Sequence, residues 1–437
     1  MPDLLLRGRV LRFLHEPAGA EDTAAFAYDE DGAILVRDGR VAAIGAHGTV
    51  AAAAAPDATV RDHRPHLLMP GFIDAHIHLP QAQVVASWGE QLLEWLNGYV
   101  FPAESRFADP AHAARIAGAF LDELLRQGTT TCVAYCSSHP ASADAYFTAA
   151  AARGMRVIGG KVMMDRNCPD GVRDTAQSAY DDTKALFAAR DGRGRAHVAI
   201  TPRFAITSTP AQMEVAQALA AENPGAFIQT HLSENRAEID VTLSLYPEAR
   251  DYLGVYERYG LLGPRSLFGH CIHLSERERA ALAETGSVAV FCPTSNLFLG
   301  SGLFDDAGLA AAGVRRAVAT DIGAGTSYSM LRTLDEAYKI LSLNGTRLDP
   351  LHAFWRMTLG NAEALGLEHE IGSLAPGTEA DIVVLDSAAT PAMALRMETV
   401  ERLREELFVL QTLGDDRSVV ETYVAGLPRR PPAAAAG

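Results

Sequence analysis

Lysine is almost missing from this sequence. Among 437 residues there are only three lysines, Lys161, Lys184 and Lys339, so arginine carries nearly all of the positive charge. Lysine and arginine together number 38 against 54 acidic residues, which gives a net charge of −16 at pH 7. Because a surface of this sign repels polyanions, we expect no nucleic-acid partner.

Cysteine is also scarce, and the sequence has no C-x-x-C pair. The five cysteines are odd in number, which favours free thiols in a reducing, cytoplasmic compartment over a disulfide framework. No apolar run reaches the length of a membrane span or of a signal peptide, so we expect no membrane partner. The P-loop and dinucleotide-binding fingerprints are missing too. These absences predict a soluble cytoplasmic protein.

Strand-like segments lie at both ends of the chain. The dipeptide Asp38-Gly39 separates two apolar runs, which is a strong hairpin signal. Near the other end, residues 380–386 and 419–424 are strand-like and lie beside glycine turns. We therefore predict one small β-sandwich domain built from both chain ends, followed by a disordered tail. The predicted limits of the two sandwich parts and of the tail are 1–68, 367–427 and 428–437.

Between these ends, apolar runs alternate with segments of helical periodicity. Eight such runs end at or near His78, Ala134, Val162, Thr201, His231, His270, Phe291 and Asp321. Strands that alternate with helices over about 250 residues are typical of a (β/α)8 barrel, whose catalytic residues lie at the carboxyl ends of the strands. We therefore predict an α/β fold with a TIM-like barrel over residues 69–366.

Histidines and one aspartate are found where these runs end. His76 and His78 close the first run two positions apart, so on a strand their side chains point to the same side. His231 ends the fifth run, His270 the sixth and Asp321 the eighth. A lone histidine after a strand is more often structural. Five ligand-type residues at four strand ends instead predict a metal centre.

The arrangement resembles the amidohydrolase superfamily over essentially the whole chain, including residues 372–383, which are similar to that superfamily's return to its small β domain. By this resemblance, the metal-ligand positions are His76, His78, His231 and Asp321. Binuclear members generally carry a carboxylated lysine at the end of the fourth strand, but here that run ends near Thr201 without one. Lys161 lies on the third run and is predicted to be structural. The resemblance therefore implies one zinc ion per chain, with iron or manganese as alternative occupants.

A narrower resemblance is to the guanine deaminases. It rests on HLPQ (78–81), TPRF (201–204), HLSEN (231–235), GHCIHL (269–274), CPTSNLFLGSG (292–302) and TDIGAGTSYSML (320–331). This resemblance implies hydrolytic deamination of guanine to xanthine and ammonia, a reaction of purine catabolism and salvage. Guanine and water would be the small-molecule partners. It also implies a homodimer.

The same resemblance implies a role for each site residue. Glu234 is the proton shuttle, His270 orients the attacking water and Asp321 accepts its proton, so these three are the expected catalytic residues. The expected substrate contacts are Gln81, Arg203, Phe204, His231 and Glu234. Arg203 suits guanine O6 as a donor, whereas the amide of Gln81 can both donate and accept.

Position alone would favour simpler roles for several of these residues. Glu234 would be a solvated or helix-capping acid, and Arg203 would form a surface ion pair. Gln81 would be a polar group at a strand end, and Phe204 a core aromatic. Only the resemblance to the family favours the functional roles.

Two other functions are alternatives. A mononuclear relative that acts on another heterocycle, such as a pterin, 8-oxoguanine or an s-triazine, would keep the same metal chemistry. A catalytically silent homologue that serves as a scaffold would lack some of the ligand residues. Trp88, Trp95 and Tyr99 lie in a helical-looking insertion after the first barrel strand, where they form either part of the pocket wall or ordinary packing.

Overall fold

The computed structural model describes residues 3–19, 21–88 and 92–431. Its strands are β1 (Leu4–Phe13), β2 (Phe26–Arg37), β3 (Arg40–Ala46), β4 (Thr59–Pro70), β5 (Phe72–His78), β6 (Thr129–Tyr135), β7 (Arg156–Gly160), β8 (Val162–Met163), β9 (Ala196–Pro202), β10 (Phe227–Leu232), β11 (Ser266–His270), β12 (Val288–Phe291), β13 (Arg315–Val318), β14 (Ile382–Leu385), β15 (Val419–Val424) and β16 (Leu427–Pro428).

The helices cover the outside of the barrel and fill its connections. They are α1 (His47–Ala52), α2 (Leu92–Trp95), α3 (Phe101–Ser105), α4 (Pro110–Arg126), α5 (Pro140–Arg153), α6 (Ala176–Arg190), α7 (Pro210–Glu222), α8 (Arg236–Leu245), α9 (Tyr252–Arg258), α10 (Glu276–Thr285), α11 (Pro293–Phe298), α12 (Asp306–Ala311), α13 (Met330–Leu343), α14 (Pro350–Trp355), α15 (Asn361–Leu365), α16 (Pro391–Met397) and α17 (Leu403–Leu413). None of these described helices combines the length and the apolar character that crossing a membrane requires.

Eight parallel strands form the predicted barrel, in the order β5-β6-β7-β9-β10-β11-β12-β13. The short β8 continues the third strand and pairs with β9. Two backbone hydrogen bonds tie the residues after β13 to β5, from Asp321 N to His76 O at 3.0 Å and from His78 N to Ile322 O at 2.7 Å. The sheet is therefore nearly closed, and the predicted (β/α)8 fold is confirmed.

The helix α4 shows how the sequence builds the outer layer. Asp109 precedes it and accepts a backbone hydrogen bond from its first turn at 2.9 Å, and Pro110 occupies its first position. Such a cap satisfies a free N–H group, and proline lacks one. Ile116, Phe120 and Leu124 recur at intervals of four residues and are buried. This apolar face fixes α4 against the barrel and α5.

The two chain ends meet in one separate mixed sheet, in the order β16-β15-β14-β4-β1-β2-β3. The strand β14 pairs with β4, which joins the C-terminal part of the chain to the N-terminal part. At the predicted hairpin between β2 and β3, Asp38 and Gly39 have φ angles of 50° and 76°, as a type I′ turn requires. The predicted small domain from both ends is thus present as a seven-stranded sheet.

Chain boundaries lie close to the predicted positions, with one difference at the end. The strand β4 runs to Pro70, and after Gly71 the chain enters the barrel. Pro428, predicted to begin a disordered tail, is the last residue of β16, and Arg429 N donates to Thr422 O at 2.7 Å. The first residues of segment 428–437 therefore belong to the sheet. Residues 432–437 lie outside the described residues.

Candidate active site

Four ligand-type side chains meet at the carboxyl ends of the barrel strands. His76 and His78 end β5, His231 lies in β10 and Asp321 follows β13; we call these four residues the ligand cluster. From Nε2 of His78, the distances are 3.3 Å to His76 Nε2, 3.2 Å to His231 Nε2 and 3.3 Å to Asp321 Oδ1. Nε2 of His76 is also 3.3 Å from Oδ1 of Asp321.

This geometry is that of a metal-ligand set. A single ring N–H of His78 cannot donate to three neighbours at once, and nitrogen lone pairs that face one another repel unless a cation lies between them. Four donors placed tetrahedrally at zinc-ligand distances of about 2.0–2.1 Å are about 3.3–3.4 Å from one another. The donor types and their spacing therefore fit one cation of this size.

The surroundings keep these histidines neutral, as metal ligation requires. Burial lowers the pKa of His78 to about 4 and the pKa of His231 well below its ordinary value. Nδ1 of His231 lies 2.7 Å from the carbonyl O of Arg203, so Nδ1–H donates and Nε2 keeps its lone pair for the cluster. Burial alone would raise the pKa of Asp321, but hydrogen bonds from His76 and His78 hold it well below its usual range.

A second carboxyl group, that of Glu234, lies beside the ligand cluster. Its Oε2 is 3.4 Å from Nε2 of His270, and its Oε1 accepts a hydrogen bond from Oγ of Ser301 at 3.0 Å. Burial, followed by the charges of Glu238 and Asp321, raises the pKa of Glu234 well above its usual range. A carboxyl group that holds its proton near neutral pH is suited to general acid chemistry.

His270 lies between these two carboxyl groups. Its Nε2 is 3.8 Å from Oδ2 of Asp321, and its Nδ1 is 3.0 Å from Nδ2 of Asn296. Burial lowers the pKa of His270 to about 3. His270 and Asp321 also have left-handed backbones, with φ of 72° and 52°. Such conformations are strained for residues other than glycine and tend to occur where function requires a fixed side-chain direction.

One pocket joins these groups to a second wall. Its lining residues are His78, Gln81, Leu92, Trp95, Leu96, Arg203, Phe204, His231, Glu234, Glu238, His270, Leu299, Asp321 and Ala324. Polar groups therefore converge within an otherwise apolar enclosure, which is the usual construction of a small-molecule site.

Residues 67–428 match the model described as the amidohydrolase family. The chain belongs to the amidohydrolase family. This amidohydrolase is 48% identical to guanine deaminase from Escherichia coli (strain K12) over 406 residues, which are 93% of this chain and 92% of that protein. It is 41% identical to a probable guanine deaminase from Deinococcus radiodurans over 403 residues, 91% of this chain and 92% of the relative. The structure of E. coli guanine deaminase superposes with a TM-score of 0.94 at 44% identity, covering 98% and 99% of the two chains.

The side of the amidohydrolase pocket away from the ligand cluster contains a buried ion pair. Nη1 of Arg203 lies 2.7 Å from Oε1 and 2.9 Å from Oε2 of Glu104. Gln81 accepts a hydrogen bond from Gly323 N at its Oε1, at 3.1 Å, which directs its Nε2 toward Glu104 at 3.5 Å. Arg203 thus forms an ion pair, but inside the pocket wall and not on the surface. Phe204 is 4% exposed and lines the same pocket.

Two other residues near the cluster have simple structural roles. Nζ of the buried Lys161 pairs with Asp174 at 2.6 Å, as expected for a structural lysine. Cys292 lies within 4.8 Å of donor atoms of the cluster. Because burial raises the pKa of its thiol well above the usual range, Cys292 remains a protonated thiol and therefore a poor ligand.

The structure brings together all nine site residues predicted from the sequence, and it adds others that the sequence analysis missed. Ser301 contacts Glu234, Asn296 contacts His270, and Glu104 contacts Arg203. Glu238 accepts hydrogen bonds from the backbone N–H of Glu234 at 2.8 Å. The capping-box spacing from Asn235 to Glu238 could have indicated that last role.

The aromatic residues of the insertion divide into two groups. Trp95 is buried and lines the pocket, whereas Trp88 is 71% exposed and Tyr99 41% exposed. The described part of the insertion is one helical segment, 92–105, in which a π-helical turn connects α2 to α3. We call residues 92–105 the pocket helix. It forms one wall of the pocket through Leu92, Trp95 and Leu96.

Proposed function

We propose that this amidohydrolase is a zinc-dependent guanine deaminase, which converts guanine and water to xanthine and ammonia. One observation carries the proposal. A single pocket places the ligand cluster and a protonatable Glu234 on one side, and Arg203 with Gln81 on the other. A purine that meets Arg203 with its O6 edge would bring its C2 edge to the side that carries out hydrolysis.

Three imidazoles and one carboxylate, those of His76, His78, His231 and Asp321, would hold the zinc ion. Zinc bound there would act as a Lewis acid that makes water a nucleophile at neutral pH. Asp321 would accept the proton of the attacking water. His270, whose Nε2 is 3.8 Å from Oδ2 of Asp321, would hold that water in line with C2 of guanine.

Glu234 would supply the second proton transfer. Its Oε1 already accepts from Ser301, so the transferable proton belongs on Oε2, which faces His270. From Oε2 the proton would pass to the ring nitrogen next to C2, so that negative charge does not accumulate on the ring. A later proton transfer would let the exocyclic amine leave as ammonia. Positioned proton transfer of this kind contributes about 10²–10⁴-fold to the rate.

Arg203, Gln81 and Phe204 would select guanine. Arg203 would donate to O6, and Gln81, whose oxygen is held by Gly323, would present its amide N–H groups to the ring edge. Phe204 would pack against the purine. A site built to hydrogen-bond a substrate group rejects analogues without that group by about 10⁴-fold or more, so adenine should be a very poor substrate.

The alternatives from the sequence have less support. A catalytically silent scaffold should lack ligand residues, and here all four converge within hydrogen-bond distances. Triazine hydrolase variants superpose with TM-scores of 0.83 and 0.84 but at only 20–21% identity, which supports a shared fold alone. A pterin or 8-oxoguanine would need the same edge contacts and is tested directly below.

The first test is ammonia release by the purified, zinc-loaded protein. Guanine, adenine, cytosine, 8-oxoguanine and a pterin are each supplied, with and without a chelator. Turnover of guanine alone that the chelator abolishes is the expected result. Turnover of a different heterocycle would overturn the substrate assignment, and chelator-resistant turnover would overturn the metal assignment.

The proposal also includes the setting of the enzyme. The mixed imidazole and carboxylate donors support zinc, and elemental analysis of the protein as purified would distinguish zinc from iron or manganese. The five cysteines are all free and buried, which supports a reducing, cytoplasmic location and a role in guanine catabolism. The homodimer rests on the family resemblance, and light scattering in solution tests it.

A further inference from the structure

We propose that Glu104 is a specificity-determining positioning residue: from the pocket helix it fixes the guanidinium of Arg203 so that the pocket reads O6 of the purine. This inference rests on the proposed function, because it names how guanine is recognised. Glu104 itself does not line the pocket, so it would act through Arg203.

The contacts of Glu104 are all directed at the recognition wall. Both of its carboxylate oxygens accept from one nitrogen of Arg203, Nη1, and Oε1 also faces Nε2 of Gln81. Its backbone carbonyl accepts from Oγ of Ser137 at 2.9 Å, which ties α3 to the loop after β6. Glu104 thus joins the pocket helix to both residues expected to contact the purine edge.

Burial makes this ion pair consequential. The side chains of Arg203 and Glu104 are 4% and 1% exposed. A guanidinium removed from water requires a carboxylate partner, and within the described ranges Glu104 is the only carboxylate that pairs with Arg203. Removing the partner would leave the charge of Arg203 unpaired and its side chain free to adopt other rotamers.

The ion pair also decides which donors of Arg203 remain for a ligand. Nη1 is engaged by Glu104, whereas Nε and Nη2 have no partner among the described residues. The ring of Phe101, also on α3, lies 5.5 Å from Cζ of Arg203 and supports one face of the guanidinium. Held in this way, the planar group presents one defined edge to an acceptor such as O6.

The same residue connects recognition to the metal site. The side chain of Arg203 is held by Glu104, while its backbone carbonyl accepts from Nδ1 of His231. Glu104 contacts only the side chain, so its loss should disturb recognition of O6 and leave the ligand cluster intact. This separation makes the role testable.

The test uses Glu104→Gln, which keeps the shape of the side chain and removes its charge. Glu94→Gln is the matched control, because Glu94 lies on the same pocket helix and is exposed. For each zinc-loaded protein we would measure kcat and KM for guanine and the competitive inhibition constant of 2-aminopurine. That analogue keeps the C2 amine and lacks O6, so it cannot use the contact that Glu104 is proposed to align.

In Glu104→Gln we expect KM for guanine to rise about tenfold or more, as for loss of a charge-assisted hydrogen bond. The inhibition constant of 2-aminopurine should change less than about threefold, and zinc content should equal that of the wild type. Equal weakening of both ligands, or no change in either, would overturn the proposal. Absence of guanine turnover in the wild type would instead contradict the proposed function.

A double-mutant cycle covers the case in which Glu104→Gln folds poorly. Replacing both partners, as Arg203→Met with Glu104→Gln, removes the unpaired buried charge that a single change leaves behind. In the Arg203→Met background, adding Glu104→Gln should change kcat/KM for guanine by less than about threefold, because Glu104 acts through Arg203. A further loss of tenfold or more would show that Glu104 acts independently, and the proposal would fail.

Discussion

Oγ of Ser301 donates a hydrogen bond at 3.0 Å to Oε1 of Glu234 and thereby distinguishes the two carboxyl oxygens. The serine is 5% exposed and lies between Gly300 and Gly302, whose φ angles of 63° and 139° shape the loop. His273 holds the serine carbonyl through Nε2 at 2.8 Å. The loop therefore orients the proposed proton shuttle from the side opposite the ligand cluster.

Ser301→Ala should lower kcat for guanine by about 5–30-fold, because a hydrogen bond to a carboxyl group contributes about 1–2 kcal/mol. The glycines that set the loop remain, so KM and zinc content should be nearly unchanged. Steady-state kinetics measures the effect. Ser244→Ala, at an exposed position of α8, is the matched control. A fall in both zinc content and kcat would show that Ser301 supports the fold of the site and not the proton transfer.

Glu234→Gln should lower kcat by about 10²–10⁴-fold, because the amide has the same shape and cannot pass a proton. Its oxygen can still accept from Ser301, so the pocket should remain assembled. We expect elemental analysis to give the zinc content of the wild type and calorimetry to show guanine binding. Near-normal turnover of this variant would remove Glu234 from the proton path.

The spacing of residues along the chain made the ligand cluster predictable. Side chains at i and i+2 of a strand point the same way, so His76 and His78 could be paired from the sequence. Parallel strands bring their carboxyl ends to one edge, which adds His231 and Asp321 without any knowledge of their distance. Both rules depend only on local geometry and strand order, and the structure obeys both.

Glu104 could not be found in this way. It lies in a helical insertion whose position against the barrel no periodicity specifies, 99 residues before Arg203. Ser301 was within a recognised motif, yet its contact depends on a loop shaped by two glycines in left-handed conformations. Long-range side-chain contacts of this kind depend on packing, and packing is decided by the whole chain at once.

Removing a ligand should separate metal binding from folding. In His78→Ala and Asp321→Ala, elemental analysis should show a large loss of zinc, because each side chain supplies one donor of the cluster. A chelator should lower the melting temperature of the wild type, since metal at about 100 times its Kd stabilises by about 2.7 kcal/mol. The same chelator should hardly affect the two variants.

The control for these metal measurements is His369→Ala, because the side chain of His369 is 95% exposed and lies outside the cluster. It should bind zinc and respond to the chelator as the wild type does. Full zinc occupancy in Asp321→Ala would contradict the assignment of Asp321 as a ligand.

The last prediction concerns the junction between the barrel and the mixed sheet. Glu379 precedes β14, and it pairs with Arg156 of β7 at 2.7 Å and with Arg195 before β9. Burial tends to raise the pKa of Glu379, but the two arginines hold it below the usual value. The carboxylate therefore stabilises the fold above its ordinary pKa of about 4.3, and this contribution is lost as the pH falls through the lowered folded-state pKa.

Glu379→Gln should reduce the free energy of unfolding at pH 7 by about 3–5 kcal/mol, because it leaves two buried guanidinium groups without this partner. The difference from the wild type should shrink below about pH 4, where the wild-type carboxylate also becomes protonated. Urea unfolding at several pH values measures both effects. Since Glu379 lies outside the pocket, KM for guanine in the folded variant should not change. A stability loss that stays constant down to pH 3 would mean that the side chain acts through packing and not through its charge.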